Sequence, residues 1–437
     1  MVAPWRALVA SFRDVLGGPL FREFLGFGSA TIAMQGSRVL SDLAVAAILG
    51  PSIWGSWYLL NLVVAYGALT QLGALNGMNR EVPSALGRDR SDEADSIRRV
   101  ALGVVLVATS AASAAFLLAA AFVPLGVALS DLLLVLILLA AHQLFGYAVT
   151  SLKATTRFMT VARLQLALAV LYPAFGIAGA LLGGLVGFIA GQVLAYGAVA
   201  ALSSRSREVI VRPRFDRART RSLIAIGFPI MLVGVVNTLF MTVDRWIVVS
   251  FLGTEALGHY SLAILTLGAV GLLPQVIGQQ VYPRMAFAWS ARRDTNELLM
   301  LARRVRSMAF AVAFPAAAGV ALVVPPLVRA FLADFTPGIA PLLVTMLVPL
   351  VAAVGQGFGG VLHMLNRQTW LLGAIVVASL VNGVIAALLV APLGLTGVAI
   401  GTLVAHMLLS ALRIWLGGRA LRAHAVAELG RAEAARP

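Results

Sequence analysis

Four charged side chains fall where charge is costly: Arg38 and Asp42 in one long apolar run, Asp244 and Arg245 in another. Near the middle of a bilayer each costs about 2.5 to 3.5 kcal/mol on insertion scales, so each should pair or face a wet cavity. The chemistry open to them is electrostatic. Arginine offers a fixed fork of donors suited to phosphate or carboxylate, and a buried aspartate can hold a cation or trade one salt bridge for another. Arg38 and Asp42 are four residues apart and share a helix face, which permits a salt bridge within one turn. Asp244 and Arg245 are adjacent and point in different directions. Two readings stay open. The charges can be structural and fix two bundles against each other, or they can line a cavity where the arginines hold an anionic headgroup and the acids serve coupling or gating. Arg163 could extend the basic lining. Gln275, Gln279, Gln280 and Gln356 could hydrogen-bond to sugar, although such amides also simply join helices.

Several chemistries are excluded or disfavoured. There is no cysteine, so thiol catalysis, disulfides and Cys-based metal sites are out. The sole lysine lies in Ser151-Leu152-Lys153-Ala154, which is not a phosphate-cradling glycine loop, so ATP hydrolysis is not expected. The histidines His142, His259, His363, His406 and His424 show no metal-ligand spacing. No catalytic or metal-binding residue is therefore assigned, and the chain reads as a non-enzyme.

The elements that must position the four charges are membrane helices. The chain is 60% hydrophobic and 12% charged, with a mean hydropathy of +0.94, against about 45 to 50% apolar and about 25% charged in soluble domains. Runs long enough to cross a bilayer fall at 24–49, 55–79, 100–123, 129–151, 160–182 and 184–203, then at 222–252, 256–281, 307–333, 338–362, 369–391 and 394–417. The fold class expected is thus an all-α polytopic membrane protein of twelve transmembrane helices. Its two halves are repeats. Leu49-Gly50, Gly55 and Trp57 recur as Leu252-Gly253, Gly258 and Tyr260, a shift of 203 positions. Gly184-Leu185, Gly187, Gly191 and Ala195 recur as Gly394-Leu395, Gly397, Gly401 and Ala405, a shift of 210. Asp42 and Asp244 precede their Leu-Gly pairs by seven and eight residues, so the first helix of each repeat carries an acid and a base at nearly matching depth. Repeats of this size are how many secondary transporters build two bundles around a central site.

The domain organisation expected is an N-terminal interfacial amphipathic helix over 1–23, a six-helix bundle over 24–203, a basic linker over 204–221, a second six-helix bundle over 222–417 and a tail over 418–437. The net charge of +15 is a matter of topology. With the N-terminus cytoplasmic, 30 of the 33 Lys and Arg residues fall on the inner side, and the outer turns hold Asp131, Glu255 and Asp334. The positive-inside rule then puts both termini in the cytoplasm. The basic excess suits anionic membrane lipids, not nucleic acid.

The stretches Ile48-Leu49-Gly50-Pro51-x-x-x-Gly55-x-Trp57, Asp244-Arg245 with Phe251-Leu252-Gly253 and Gly258-x-Tyr260-Ser261-Leu262-Ala263, and Tyr282-Pro283-Arg284-Met285 resemble the bacterial oligosaccharide flippases, the polysaccharide-transporter family. That family belongs with the multidrug and toxin extruders (MATE) and the lipid II flippases in one exporter superfamily. The resemblance covers essentially the whole chain. It implies a V-shaped, MATE-like transporter working by alternating access in the bacterial inner membrane, with other polysaccharide-assembly membrane proteins as partners. It further implies, as substrate, an oligosaccharide on a polyprenyl diphosphate, turned to the outer leaflet for lipopolysaccharide or exopolysaccharide export. On this reading Arg38, Arg245 and Arg163 hold the diphosphate, Asp42 and Asp244 act in coupling or gating with H+ or Na+, and no cofactor is needed. The rivals are a cation-coupled multidrug extruder, whose cavity should be net acidic, and a polytopic glycan-transferring enzyme, which should carry a sizeable outer domain that this chain lacks.

Overall fold

The computed structural model describes residues 19–67, 69–122, 128–292 and 294–434. Most of the expected N-terminal interfacial helix lies outside the described residues, as do the last three residues of the tail. Among the described residues every regular element is helical. In chain order they are α1 (Pro19–Gly67), α2 (Ala74–Leu86), α3 (Ser91–Phe122), α4 (Leu129–Ala154), α5 (Phe158–Ser203), α6 (Arg217–Arg292) and α7 (Thr295–Phe331). A 3-10 turn (Ala333–Gly338) then leads to α8 (Ile339–Thr345), α9 (Val348–Met364) and α10 (Gln368–Ala434). Among the described residues eight helical stretches are long and apolar enough to cross a membrane.

Four of those stretches are interrupted by glycine, and the interruptions are the repeated motifs. α1 breaks at Gly50 (φ 74, ψ 168) and α6 at Gly253 (φ 86, ψ −179). α5 breaks at Gly184 (φ 59, ψ −135) and α10 at Gly394 (φ 56, ψ −136). The repeat in sequence is therefore a repeat in backbone angles. Gly50 and Gly253 occupy the region near φ +80, ψ 180 that only glycine adopts without strain of about 1 to 3 kcal/mol. Each break divides one long helix into two segments with almost no loop.

The remaining motif glycines allow backbones to touch. A Cβ on Gly179 would lie 2.1 Å from the Gly187 carbonyl oxygen, and one on Gly187 would lie 2.0 Å from that of Gly179. In α10, a Cβ on Gly397 would lie 2.2 Å from the Leu389 carbonyl oxygen. Between lipid-like surfaces there is no hydrophobic drive for helices to associate, so close contact at small residues supplies the attraction. A second close approach joins the two Leu-Gly motifs. A Cβ on Gly55 would sit 1.8 Å from the Thr254 carbonyl oxygen, and one on Gly258 would sit 1.8 Å from that of Pro51. Pro51 and Thr254 are themselves 203 positions apart, so the contact is self-complementary.

One expected helix differs. The run 55–79 is not continuous: the helix ends at Gly67, a turn carries positive φ at Leu72 and Gly73, and α2 starts at Ala74. The Gly73 backbone presses on that of Gly227, where a Cβ would be 2.4 Å from the Gly227 carbonyl carbon.

The chain divides into two compact units. One comprises Met1–Leu49 with Leu60–Leu232, and the other Gly50–Leu59 with Val233–Pro437. In the first, Leu132, Leu136 and Leu139 of α4 pack with Phe116 and Leu117 of α3. In the second, Phe240 of α6 packs with Ala374, Ala378, Ala405 and Leu409 of α10.

The basic linker belongs to the first unit and is hydrogen-bonded to it. The Glu208 carbonyl accepts from Arg98 Nη1 at 2.9 Å and from Ser151 Oγ at 2.5 Å, and the Tyr147 hydroxyl donates to the Ile210 carbonyl at 3.0 Å. The Glu208 carboxylate accepts from Ser206 Oγ and Arg157 Nε, each at 2.7 Å. The Ser206 hydroxyl foremost, with Arg157, holds the Glu208 carboxyl below the usual glutamate range. A depressed folded-state pKa stabilises fully above the unfolded value, about 4.3, and that contribution is lost as pH falls through the folded value. Acidification of the purified protein from pH 7 through this range is therefore expected to lower its melting temperature more than that of Glu208→Gln. Identical pH dependence in the two would contradict this role for the carboxylate.

Candidate functional site

In the first unit a ladder of polar contacts joins the first segment of α1 to the first segment of α5. The Thr31 hydroxyl donates to Gln165 Oε1 at 3.1 Å, and the Ser37 hydroxyl donates to the Ala169 carbonyl. Further along, the Tyr172 hydroxyl donates to Asp42 Oδ1 at 2.9 Å. Both ends of that last bond are buried, Tyr172 being 1% and Asp42 9% exposed. The Arg38 guanidinium carbon lies 5.1 Å from the centroid of the same tyrosine ring. The salt bridge that the Arg38–Asp42 spacing permits is absent among the described ion pairs. Tyr172 takes both charges, with its hydroxyl on the acid and its ring face toward the base. A hydrogen bond to a charged group contributes about 1.5 to 3 kcal/mol, and a guanidinium over an aromatic face about 0.5 to 2. Tyr172 leads on to Tyr196 at 6.4 Å between centroids, and Tyr196 to His142 at 5.1 Å. Asp42 thus ends a chain of aromatic groups running between helices.

Arg163 is not part of this cluster. It is exposed, and it precedes Tyr172 by nine residues, roughly 13 Å along a helix. It makes no ion pair among the described residues.

The second unit repeats the theme with different parts. Asp244 Oδ2 accepts from the Tyr260 hydroxyl at 3.2 Å, and Oδ1 accepts from the backbone N–H of Arg245 at 2.8 Å. Tyr260 is 1% and Asp244 6% exposed. The Arg245 side chain has no ion pair among the described residues, and its buried Nε has no hydrogen-bond partner. In the same unit Asn382 of α10 is fully buried, with neither Oδ1 nor Nδ2 partnered. Its neighbour Gly383 approaches Val243, next to Asp244, with only 3.5 Å between a built Cβ and Val243 Cγ2. His406 Nδ1 lies 2.8 Å from the Thr402 carbonyl oxygen, and its ring packs 4.7 Å from Phe240. That is a packed, hydrogen-bonded histidine. Of the glutamines, Gln356 Nε2 donates to the Pro274 carbonyl at 2.8 Å and so joins helices; Gln275 is exposed. The side chains of Gln279 and Gln280 lie outside the described residues.

Tyr260 was read from sequence only as a residue of the repeated motif, and Tyr172 and Asn382 were not singled out. A signal was present for those two. The shift of 210 that aligns the glycine motifs also carries Tyr172 onto Asn382, Gln192 onto Thr402 and Tyr196 onto His406. These are the polar positions of the two closing hairpins, and applying the repeat to every polar residue would have marked them together.

Among the described residues the chain is helical with glycine-broken helices, and in each of two units a buried acid is held by a tyrosine beside an arginine that lacks a carboxylate partner; with its apolar stretches of spanning length it is a multi-pass membrane protein. Residues 84–335, more than half of the chain, match the family described as polysaccharide biosynthesis protein, and the chain belongs to that family. No curated protein matched in sequence. Solved structures of the MATE and MOP-superfamily transporters share the fold. One is a multidrug resistance MATE family transporter in an inward-facing conformation, with a TM-score of 0.72 and 16% identity over 89% of this chain and 95% of that one. Another is a MOP-superfamily transporter from Pyrococcus furiosus whose reversed binding-pocket polarity suggests a different function. It matches with a TM-score of 0.65 and 13% identity over 94% of this chain and 98% of that one. An outward-facing multidrug resistance MATE transporter matches with a TM-score of 0.65 and 15% identity over the same shares.

Proposed function

We propose that this chain is a flippase. It carries a polyprenyl-diphosphate-linked oligosaccharide from the inner to the outer leaflet of the bacterial cytoplasmic membrane, by alternating access, with both termini in the cytoplasm. The observation that carries the reading is the state of the arginines. Asp42 and Asp244 are each engaged by a tyrosine hydroxyl, and neither Arg38 nor Arg245 is paired with a carboxylate among the described residues. A diphosphate supplies the missing anion and suits the guanidinium fork. Family membership supports cell-surface polysaccharide synthesis as the process served. A multidrug extruder for cations would present free acids, whereas here the acids are hydrogen-bonded and the bases lack a carboxylate partner among the described residues. Catalysis is not part of this reading.

Asp42 and Asp244 serve coupling or gating. Arg163 plays at most a peripheral part, since it is exposed and apart from Arg38.

Mass spectrometry of lipid extracts from cells lacking the gene tests this function. Accumulation of a complete polyprenyl-diphosphate repeat unit on the inner leaflet is the expected result. An unchanged lipid pool would return the drug-extruder reading, and a truncated glycan would point to an enzyme.

A further inference from the structure

The linker between the repeats forms a second cationic feature, remote in sequence from the intramembrane charges and lying wholly within the first unit. Arg99 of α3 together with Ser204, Arg205, Ser206, Arg207, Val209 and Arg212 lines a cavity of about 360 Å³. That volume falls within the usual range for small-ligand pockets, about 300 to 1,000 Å³. None of these four arginines has a carboxylate partner among the described ion pairs. The acids of this region are committed elsewhere, Glu208 to Arg157 and Ser206 and Asp95 to Arg98. A cavity ringed by four uncompensated guanidinium groups is matched by a multiply charged anion, and phosphate is the group that forked donors suit best.

The cavity is a built feature of the fold. Glu208 and Ile210 are pinned through their carbonyls to Arg98, Ser151 and Tyr147. The Arg214 amide donates to the Arg99 carbonyl at 3.0 Å, which closes the linker onto α3. Val209 is buried beneath it. These contacts fix the backbone and leave the arginine heads free.

The apolar residues at the cavity indicate where the phosphate comes from. Val211, part of its lining, is 62% exposed and Phe215, just beyond it, 71%, and Arg212 and Arg214 lie between them. A free phosphate or a nucleotide would gain nothing from bare valine and phenylalanine beside its site. A lipid would, because its acyl chains cover apolar side chains at the interface while its headgroup meets the arginines.

We infer that this cavity is a binding site for the phosphate-bearing headgroup of an anionic lipid of the inner leaflet. The leaflet assignment rests on the orientation given under the proposed function. Binding of the lipid does not depend on what the transporter carries, so the test below can fail or succeed whatever becomes of the flippase reading.

The full chain, purified in detergent, is mixed with phosphatidylglycerol or with phosphatidylcholine and followed by native mass spectrometry and thermal melting. Phosphatidylglycerol is expected to stay bound and to raise the melting temperature, as a ligand of the folded state must, while phosphatidylcholine does neither. The triple variant Arg205→Gln, Arg207→Gln, Arg212→Gln is expected to bind phosphatidylglycerol roughly tenfold to a hundredfold more weakly. The charge-keeping variant with lysine at the same three positions should retain most of the binding. Arg80→Gln, a change of the same type outside the cavity, should bind as the wild type does. Equal retention of the two lipids, or unchanged binding by the triple glutamine variant, would overturn the proposal. So would displacement of phosphatidylglycerol by inorganic phosphate at equal concentration, which would assign the site to a free anion.

Discussion

Glutamine at Arg38 or at Arg245 is expected to abolish transport while leaving the protein in the membrane. Each guanidinium lies in an apolar helix, lacks a carboxylate partner, and adjoins an acid already satisfied by a tyrosine. Losing one partner of a desolvated charge pair costs about 2 to 5 kcal/mol, which corresponds to a rate loss of roughly thirtyfold or more. Folding should suffer far less, since removing Arg38 forfeits its contact with the Tyr172 ring, about 0.5 to 2 kcal/mol, and also removes a costly intramembrane charge. Arg163→Gln separates site from background: it is the same change at an exposed position apart from the cluster, and a small effect is expected there. The check is the amount of completed lipid-linked glycan left on the inner leaflet, scored against protein level in the membrane. Wild-type transport by Arg38→Gln or Arg245→Gln would remove both residues from the site.

The second large effect is structural. Gly258→Leu, and equally Gly55→Leu, is expected to prevent accumulation of folded protein. At both positions a Cβ would stand 1.8 Å from a carbonyl oxygen of the facing helix backbone. A backbone carbonyl cannot swing aside as a side chain can, so the helices must separate. Overpacking a tight core already costs about 1 to 3 kcal/mol, and the self-complementary contact at Pro51 and Thr254 would be lost as a whole. Gly268→Leu is the control, because nothing lies within 4 Å of a Cβ there. Size-exclusion profiles of the three variants check the point, and a monodisperse Gly258→Leu peak at wild-type yield would contradict it.

The same glycines show why so much of the fold was legible in the sequence. A Leu-Gly pair repeated at 203 residues and a Gly-Leu-x-Gly run repeated at 210 mark four helix breaks, and those breaks have nearly the same backbone angles in each copy. Glycine was required at those points, and a requirement of that kind survives in both halves. The interruption between Gly67 and Ala74 escaped notice because the run 55–79 is apolar enough on average to span, although Gly67, Thr70, Gln71 and Gly73 mark the turn, where Gly73 takes positive φ and meets the Gly227 backbone.

The site was half legible for a related reason. Charges in apolar runs announce themselves, so Arg38, Asp42, Asp244 and Arg245 stood out. Their partners did not. Spacing of four suggested an Arg38–Asp42 pair, yet the acid's partner is Tyr172, 130 residues away. In the second unit the partner is Tyr260, sixteen residues on, from the segment after the Leu-Gly break. The two tyrosines are not repeat equivalents, since Tyr172 aligns with Asn382 and Tyr260 with Trp57. Internal symmetry puts the two acids at nearly matching depth, but the hydroxyl that holds each comes from a different segment, Tyr172 of α5 in one unit and Tyr260 after the Leu-Gly break in the other.

The central claim is movement of a lipid-linked oligosaccharide between leaflets, and purified protein in vesicles tests it most directly. Proteoliposomes carrying a polyprenyl-diphosphate oligosaccharide only in the inner leaflet would be treated with a glycosidase that cannot cross the membrane. The account predicts that the protected glycan becomes accessible over time with the wild-type protein, and stays protected with Arg245→Gln and in vesicles without protein. Equal protection in all three, with a cationic dye moving across the wild-type vesicles instead, would contradict it.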